Sequence, residues 1–144
     1  MNKATFRAIR EAVGLSQSDF AALVDVSTTA VKRWEHPDGP EPPADAIDAL
    51  ETWKKAHDEA VETAVDTALR SAEKLGRNYD LPPVVLTYFK SQESFDHLGR
   101  DAGPFGVVNA RSRAVAANLE RLGFEVSFAY PGESPAADAA NEAR

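Results

Sequence analysis

The sequence predicts an α+β protein with a helical N-terminal domain, a long connecting helix and a small C-terminal α/β unit. In the first half, apolar residues recur at the three- and four-residue spacing of helical faces. In the second half, β-branched and aromatic runs bounded by glycine and proline alternate with helical patterns. We expect the domain at 1–42, the connecting helix at 43–76, the α/β unit at 81–130 and a disordered tail at 131–144.

Two short helices open the N-terminal domain. The first is predicted over Lys3–Val13, with Asn2 as its N-cap and Gly14 at its end. Ser16 begins the second, which is expected to end near Asp25. The residues assigned to their inner faces are Phe6, Ile9, Val13, Phe20, Leu23 and Val24.

A third helix is predicted over Thr28–Glu35, with Ser27 as its N-cap. Val31 and Trp34 fall on its inward side, because they share a face at helical spacing. The opposite, outward face then carries Thr28, Thr29, Lys32 and Arg33.

Prolines interrupt the helical pattern after this point, so His36–Pro43 is predicted to be a loop. Pro43 can serve as the first residue of a long helix that runs to Leu75 and is closed by Gly76. Its apolar stripe from Ile47 to Leu75 is larger than a chain of 144 residues can cover with its own side chains.

The C-terminal half is predicted to contain three strands and two helices. The strands are Val84–Phe89, Phe105–Val108 and Phe124–Tyr130; the helices are Ser91–Leu98 and Ser112–Leu122, with a loop at Gly99–Gly103 and a C-cap at Gly123. The strand Val84–Phe89 is apolar on both faces, which adds to the surplus of apolar surface.

The tail from Pro131 to Arg144 has no large apolar residue, so disorder is expected there.

Composition limits the chemistry. The chain has no cysteine, which excludes disulfides, thiolate nucleophiles and cysteine-based zinc sites. No run approaches the ~18–20 apolar residues of a membrane span, and the first residues lack a signal peptide's apolar stretch. We therefore expect a cytoplasmic protein with no membrane partner.

The net charge of −7 is unevenly distributed. Residues 1–36 carry five basic and four acidic groups, whereas residues 37–80 carry five basic and eleven acidic groups. An acidic body behind a locally basic face would repel nucleic acid everywhere except at that face. A soluble acidic surface is the plainer explanation, and charge alone does not separate the two.

The segment from Phe6 to Glu35 resembles the repressor and Cro type of helix-turn-helix, a DNA-binding module of transcription regulators. Leu15-Ser16-Gln17-Ser18-Asp19-Phe20-Ala21 follows that family's second helix, and Val31-Lys32-Arg33-Trp34-Glu35 the end of its recognition helix. One departure is Asp25, where the family usually has glycine. Aspartate tolerates a positive φ better than most residues do.

The resemblance implies roles for five residues. Gln17 and Ser27 correspond to positions where family members bind phosphates, and Thr28, Thr29 and Arg33 to positions that contact base edges. The residue chemistry agrees, because arginine can bind guanine with two hydrogen bonds and threonine methyls can touch thymine. Lys32 is better suited to a phosphate. Glu35 is expected to form a solvated local pair with Lys32, Arg33 or a first-helix arginine.

Less specifically, the whole chain resembles small phage and bacterial regulators with a C-terminal dimerisation unit, such as anti-CRISPR-associated repressors. This resemblance implies dimerisation and autoregulation of a neighbouring operon. The leading hypothesis is a repressor that binds an inverted repeat of double-stranded DNA as a homodimer. The alternative is an antitoxin that binds both operator DNA and a toxin partner. A small enzyme is a third hypothesis, but the sequence shows no convergent acid, base or nucleophile. His36, His57 and His97 lie in separate segments, so we expect no metal and no cofactor.

Overall fold

A computed structural model describes residues 1–76, 80–98 and 102–142. The chain is mostly helical with one small parallel sheet, which confirms the predicted α+β class. It divides into two compact units, Met1–Asp58 and Glu59–Arg144, with the boundary inside the long helix. The elements are α1 (Lys3–Val13), α2 (Gln17–Leu23), α3 (Thr28–Glu35), α4 (Ala44–Lys74), β1 (Val84–Thr87), α5 (Gln92–Leu98), α6 (Phe105–Arg121), β2 (Val126–Ala129) and α7 (Pro135–Glu142).

The first three helices form the core of the N-terminal unit. The ring of Phe6 lies edge-on to Phe20 at 5.4 Å and to Trp34 at 6.3 Å, so one residue of α1 contacts both following helices. The predicted N-caps are all present: the side chains of Asn2, Ser16 and Ser27 each accept a backbone N–H of the first turn. Leu23 differs from the prediction, because it is 42% exposed rather than inward.

The proline-rich loop after α3 returns closely to that helix. A Cβ on Gly39 would overlap the backbone carbonyl of Arg33, so this approach requires glycine. The ammonium of Lys3 donates to the carbonyl of Trp34 at 3.0 Å and also to that of Pro40. The end of α3 is thus fixed from two sides.

The C-terminal unit is built on the parallel pair β1 and β2, with Val84 opposite Val126 and Thr87 opposite Ala129. Helices α5 and α6 form the crossover between the strands. A core cluster of Val61, Val115, Leu119 and Phe124 packs against the second half of α4 and one sheet face, where its partly buried neighbours are Val65, Ala68, Leu69, Ala72, Val84, Leu86, Ala114 and Val126.

The surplus of apolar surface expected from sequence is largely covered within the chain, which corrects that expectation. The long helix begins at Ala44 and buries Leu50 in the first unit and Val61 in the second. The strand β1 ends at Thr87, shorter than predicted, and its two faces are at least half-buried. Phe89, two residues after the end of β1, is buried beside Phe95 and Val108. Leu75 at the end of the stripe is exposed.

The predicted strand Phe105–Val108 is wrong, because these residues form the first turn of α6. The side-chain oxygen of Gln92 accepts the N–H of Phe105 at 3.0 Å, which satisfies one of the free donors at the helix start. Val107 and Val108 are buried on that helix. Tertiary packing therefore overrides the strand preference of this β-branched pair. The predicted final strand is also shorter and covers only Val126–Ala129.

The prediction of a disordered tail is contradicted at Pro135–Glu142, which form α7 beside β1. Proline suits the first helical position, and alanine is the strongest helix former, so this segment is locally able to fold. Ala137 is buried, and its carbonyl accepts the hydroxyl of Thr87 at 3.0 Å. Part of the predicted loop, residues 99–101, and the last two residues, 143–144, lie outside the described residues.

No helix in the described ranges has the length and apolar character needed to cross a bilayer.

Candidate nucleic-acid interface

Helix α3 presents two different faces. Val31 is fully buried and Trp34 is 7% exposed, so the inner face is anchored in the core. Of the residues expected on the outer face, Thr29, Lys32 and Arg33 are exposed and Thr28 is half-buried. The predicted base-contacting set, Thr28, Thr29 and Arg33, therefore lies on the accessible side of one helix, together with Lys32.

These four side chains have no hydrogen bond or ion pair to any other described residue of the chain. Their neighbour Ser27 is exposed and accepts the N–H of Ala30 at 3.1 Å through its hydroxyl oxygen. That bond uses the oxygen as an acceptor, so the hydroxyl can still donate to another group. The outer face of α3 is consequently not occupied by contacts within its own unit.

The turn between α2 and α3 depends on Asp25. This residue has φ of 55°, which is the only positive φ outside glycine among the described residues. The next residue, Val26, donates its N–H to the carbonyl of Ala21 at 2.9 Å, and Ala21 is buried within α2. Aspartate thus adopts the left-handed conformation that the resemblance assigns to glycine.

A buried ion pair joins α1 to the end of α3. Arg10 donates from Nε to Oε2 of Glu35 and from Nη2 to Oε1, both at 2.7 Å, and only 7% and 3% of the two side chains are exposed. The remaining guanidinium nitrogen Nη1 donates to the carbonyl of Leu15 at 2.7 Å. The expectation of a solvated, weak Glu35 pair is therefore wrong, although a first-helix arginine was correctly among the named partners.

Gln17 belongs to the same network. It is half-buried at the first position of α2, and its Nε2 donates to Oε1 of Glu35 at 3.2 Å. An amide nitrogen carries two hydrogens, so this bond leaves one for another acceptor. The carboxylate of Glu35 therefore connects all three helices of the candidate interface.

Sequence reasoning missed Arg10 as a core residue. A signal was present, because Arg10 lies four residues after Phe6 and thus on the buried face of α1. A charged residue on such a face requires a partner of opposite charge, and Glu35 provides it.

Pairing within the unit leaves the outer face of α3 positively charged. Arg7 binds Glu11 at 2.5 Å on the exposed side of α1; this hydrogen bond lowers the pKa of Glu11 and raises that of Arg7. With the acidic Glu11 and Glu35 each bonded to arginine, Lys32 and Arg33 face no acidic partner among the described residues. The charge of this face suits an anionic polymer better than the chain's overall charge suggests.

No group of three or more histidine, aspartate or glutamate side chains within the described ranges is arranged to hold a metal ion.

No curated protein matches the chain. Residues 6–50 match the model of a helix-turn-helix family. This segment contains α1, α2, α3 and the start of α4. The match supports DNA binding in transcription regulation, and the N-terminal unit is a helix-turn-helix domain.

Proposed function

We propose that this protein is a transcriptional repressor that binds an inverted-repeat operator as a homodimer in the cytoplasm. The observation that carries the proposal is the outer face of α3, which is exposed, cationic and without partners among the described residues, while its inner face is anchored by Val31 and Trp34. A recognition helix needs this division, because its core side must be rigid while the other side enters the major groove.

Each proposed contact follows from the chemistry of the side chain. Arg33 carries a planar guanidinium that can bind O6 and N7 of guanine together, and the methyls of Thr28 and Thr29 can contact thymine. Lys32 is a flexible point charge suited to phosphate. Gln17 and Ser27 each retain a hydrogen-bond donor for a phosphate oxygen, since their bonds within the domain use only part of their capacity.

A homodimer is proposed because one helix-turn-helix reads only a few base pairs. Two copies related by a two-fold axis bind two half-sites of opposite direction, about 34 Å apart on one face of B-DNA. Repression then requires only occupancy of the operator and no reaction, in keeping with a match to DNA-binding regulators.

Selection of bound duplexes from a random pool with the full-length protein tests this proposal. We expect enrichment of an inverted repeat with half-sites about one helical turn apart. A parallel selection with Arg33→Ala should recover the same spacing with one relaxed base pair in each half-site. Failure to enrich any sequence, or enrichment of a single half-site without a repeat, would contradict the proposed function.

A further inference from the structure

The strand β2 has one open edge. The sheet contains two strands, and β1 occupies one side of β2. Helix α7 packs beside β1, and α6 packs on both strands. No third strand in the described part of the chain pairs with the outer side of β2. Unpaired backbone groups of this kind are a template for another strand.

Val126 and Phe128 direct their backbone groups toward that edge, because the residues on either side of them direct theirs toward β1. The carbonyls of Glu125 and Ala129 accept N–H groups of β1 from Val84 and Tyr88, both at 2.9 Å. In a strand, the residues between such positions turn their N–H and C=O to the opposite side. Val126 and Phe128 therefore present their backbone groups outward.

Backbone groups at both ends of β2 are already hydrogen-bonded, which limits the length of the open edge. The N–H of Phe124 donates to the carbonyl of Leu119 at 3.0 Å, and the carbonyl of Tyr130 accepts the N–H of Glu133 at 3.0 Å. Those groups are no longer available for pairing. The free edge is thus limited to Val126 and Phe128, with Ser127 between them.

We propose that a second copy of this chain docks on this edge, so that the two β2 strands pair antiparallel about a two-fold axis at Ser127. The inference rests on the proposed homodimer and specifies its interface. In this register Val126 lies opposite Phe128 of the second copy, and each such pair exchanges two backbone hydrogen bonds. A two-fold axis at Val126 or at Phe128 would instead set one free residue against a closed end of the strand.

The side chains of the edge fit the same register. Phe128 is 44% exposed, and its ring contacts Tyr88 edge-on at 5.5 Å. Val126 lies on the same sheet face and packs on the core cluster. Pairing in this register sets each Phe128 across from Val126 of the other copy, a combination of aromatic and β-branched side chains that stabilises antiparallel pairs. The exposed aromatic ring would thereby extend the core across the axis.

The charges favour this register over one with the axis at Val126. Glu125 is exposed directly before β2, in a chain of net charge −7. With the axis at Ser127, the two Glu125 residues lie four positions apart along the strand pair, about 14 Å at the usual rise per residue. That separation exceeds the Debye length of about 10 Å at 0.1 M salt. An axis at Val126 would bring them to about 8 Å, where repulsion is less screened.

Cross-linking tests the register directly, because the chain contains no cysteine. In the proposed pairing, Ser127 faces its own copy as a pair without backbone hydrogen bonds, with Cβ atoms about 4.5–5.5 Å apart. We expect full-length Ser127→Cys to form a disulfide-linked dimer under mild oxidation. The matched variant Glu125→Cys is also exposed but lies about 14 Å from its copy, so it should stay unlinked. Equal linking of both variants, or linking of Glu125→Cys alone, would overturn the register.

A second pair of variants separates this edge from the exposed end of the α4 stripe. Phe128 and Leu75 have the same exposed fraction, 44%. We expect Phe128→Lys to halve the mass measured by light scattering, with its circular dichroism spectrum unchanged, and Leu75→Lys to remain dimeric. A dimer that survives Phe128→Lys but dissociates with Leu75→Lys would overturn the proposal. If Phe128→Lys fails to fold, the cysteine pair decides.

The two proposals can fail separately. Enrichment of an inverted repeat together with an unlinked Ser127→Cys would reject the β2 interface and leave the repressor proposal standing. A linked Ser127→Cys dimer that enriches no DNA sequence would reject the repressor and leave the interface standing.

Discussion

Arg10 of α1 and Glu35 of α3 are held together by two hydrogen bonds of 2.7 Å in the interior of the helix-turn-helix domain. Loss of one partner leaves a buried charge uncompensated, which costs more than the pair itself contributes. We expect Glu35→Gln to lower the free energy of unfolding by about 3–5 kcal/mol. Urea denaturation measures this loss. The double variant Arg10→Met with Glu35→Leu should be closer to the unmodified protein than either single variant.

The exposed pair Arg7 and Glu11 is the control for that experiment. The nitrogen–oxygen distance between Arg7 and Glu11 is 2.5 Å, no longer than the 2.7 Å between Arg10 and Glu35. Both side chains of the exposed pair are more than half exposed, however, so water and salt screen the interaction. Glu11→Gln should shift the urea midpoint far less than Glu35→Gln does, because the further contact of Glu11 with Nη2 of Arg10 is long, at 3.9 Å, and is screened on the Glu11 side. Equal losses from Glu11→Gln and Glu35→Gln would contradict the argument from burial.

Trp34 is expected to act through stability rather than through a DNA contact. Its indole is 7% exposed and packs against Phe6. Trp34→Ala should destabilise the domain by about 3–5 kcal/mol and lower its melting temperature. The exposed neighbour on the same helix, Thr29→Ala, should shift stability by less than about 0.5 kcal/mol. An unchanged melting temperature with lost DNA binding would assign Trp34 to the DNA face.

Arg33 and Lys32 should differ in the kind of binding that they support. Arg33→Ala should cost about 1–3 kcal/mol on the preferred operator and relax discrimination at one base pair per half-site. Lys32→Ala should weaken binding to all sequences alike and reduce the salt dependence. Titrations on single-base operator variants at two salt concentrations distinguish these effects, with the exposed Lys90→Ala as the control. Base preference altered by Lys32→Ala alone would reverse the two assignments.

The left-handed conformation of Asp25 predicts an order of stabilities. A residue with a Cβ costs about 1–2 kcal/mol in this region, and aspartate less than most. Asp25→Ala should therefore unfold at lower urea concentration than the unmodified protein, whereas Asp25→Gly should be at least about 1 kcal/mol more stable than Asp25→Ala. If the alanine and glycine variants were equally stable, the turn would not require a positive φ.

Helix α7 can be tested at two adjacent alanines. Ala137 is buried, whereas Ala136 is exposed on the same helix. Ala137→Glu should destabilise the C-terminal unit by at least about 2 kcal/mol, because it buries a charge with no partner, and Ala136→Glu should have little effect. Thermal unfolding followed by circular dichroism compares them. Identical melting curves would indicate that α7 does not pack on the unit.

Much of the N-terminal domain could be predicted from sequence because its signals are local. The caps Asn2, Ser16 and Ser27 each bond to an N–H three residues away, so their role does not depend on the rest of the chain. The inward assignment of Val31 and Trp34 follows from helical periodicity alone. The outer face of α3 is what remains, so the exposure of the candidate residues was predictable as well.

The tertiary structure decided what depends on distant partners. Residues 105–108 have the composition of a strand, but they are helical, with the N–H of Phe105 donating to the side-chain oxygen of Gln92 and Val107 and Val108 buried in the core. Ala137 has no local signal of burial, and its carbonyl accepts the hydroxyl of Thr87 in β1, 50 residues earlier in the chain. Local signals cannot report such cases, because the stabilising group lies far away in sequence.

The sequence by itself thus determined the α+β class and the helices that present Thr28, Thr29, Lys32 and Arg33, because capping and periodicity act within a few residues. Only the tertiary structure decided that Arg10 and Glu35 form a buried pair and that Val126 and Phe128 present an open edge. Burial of a charge and pairing of a strand both require a partner element, and the position of that element is fixed only when the whole unit packs.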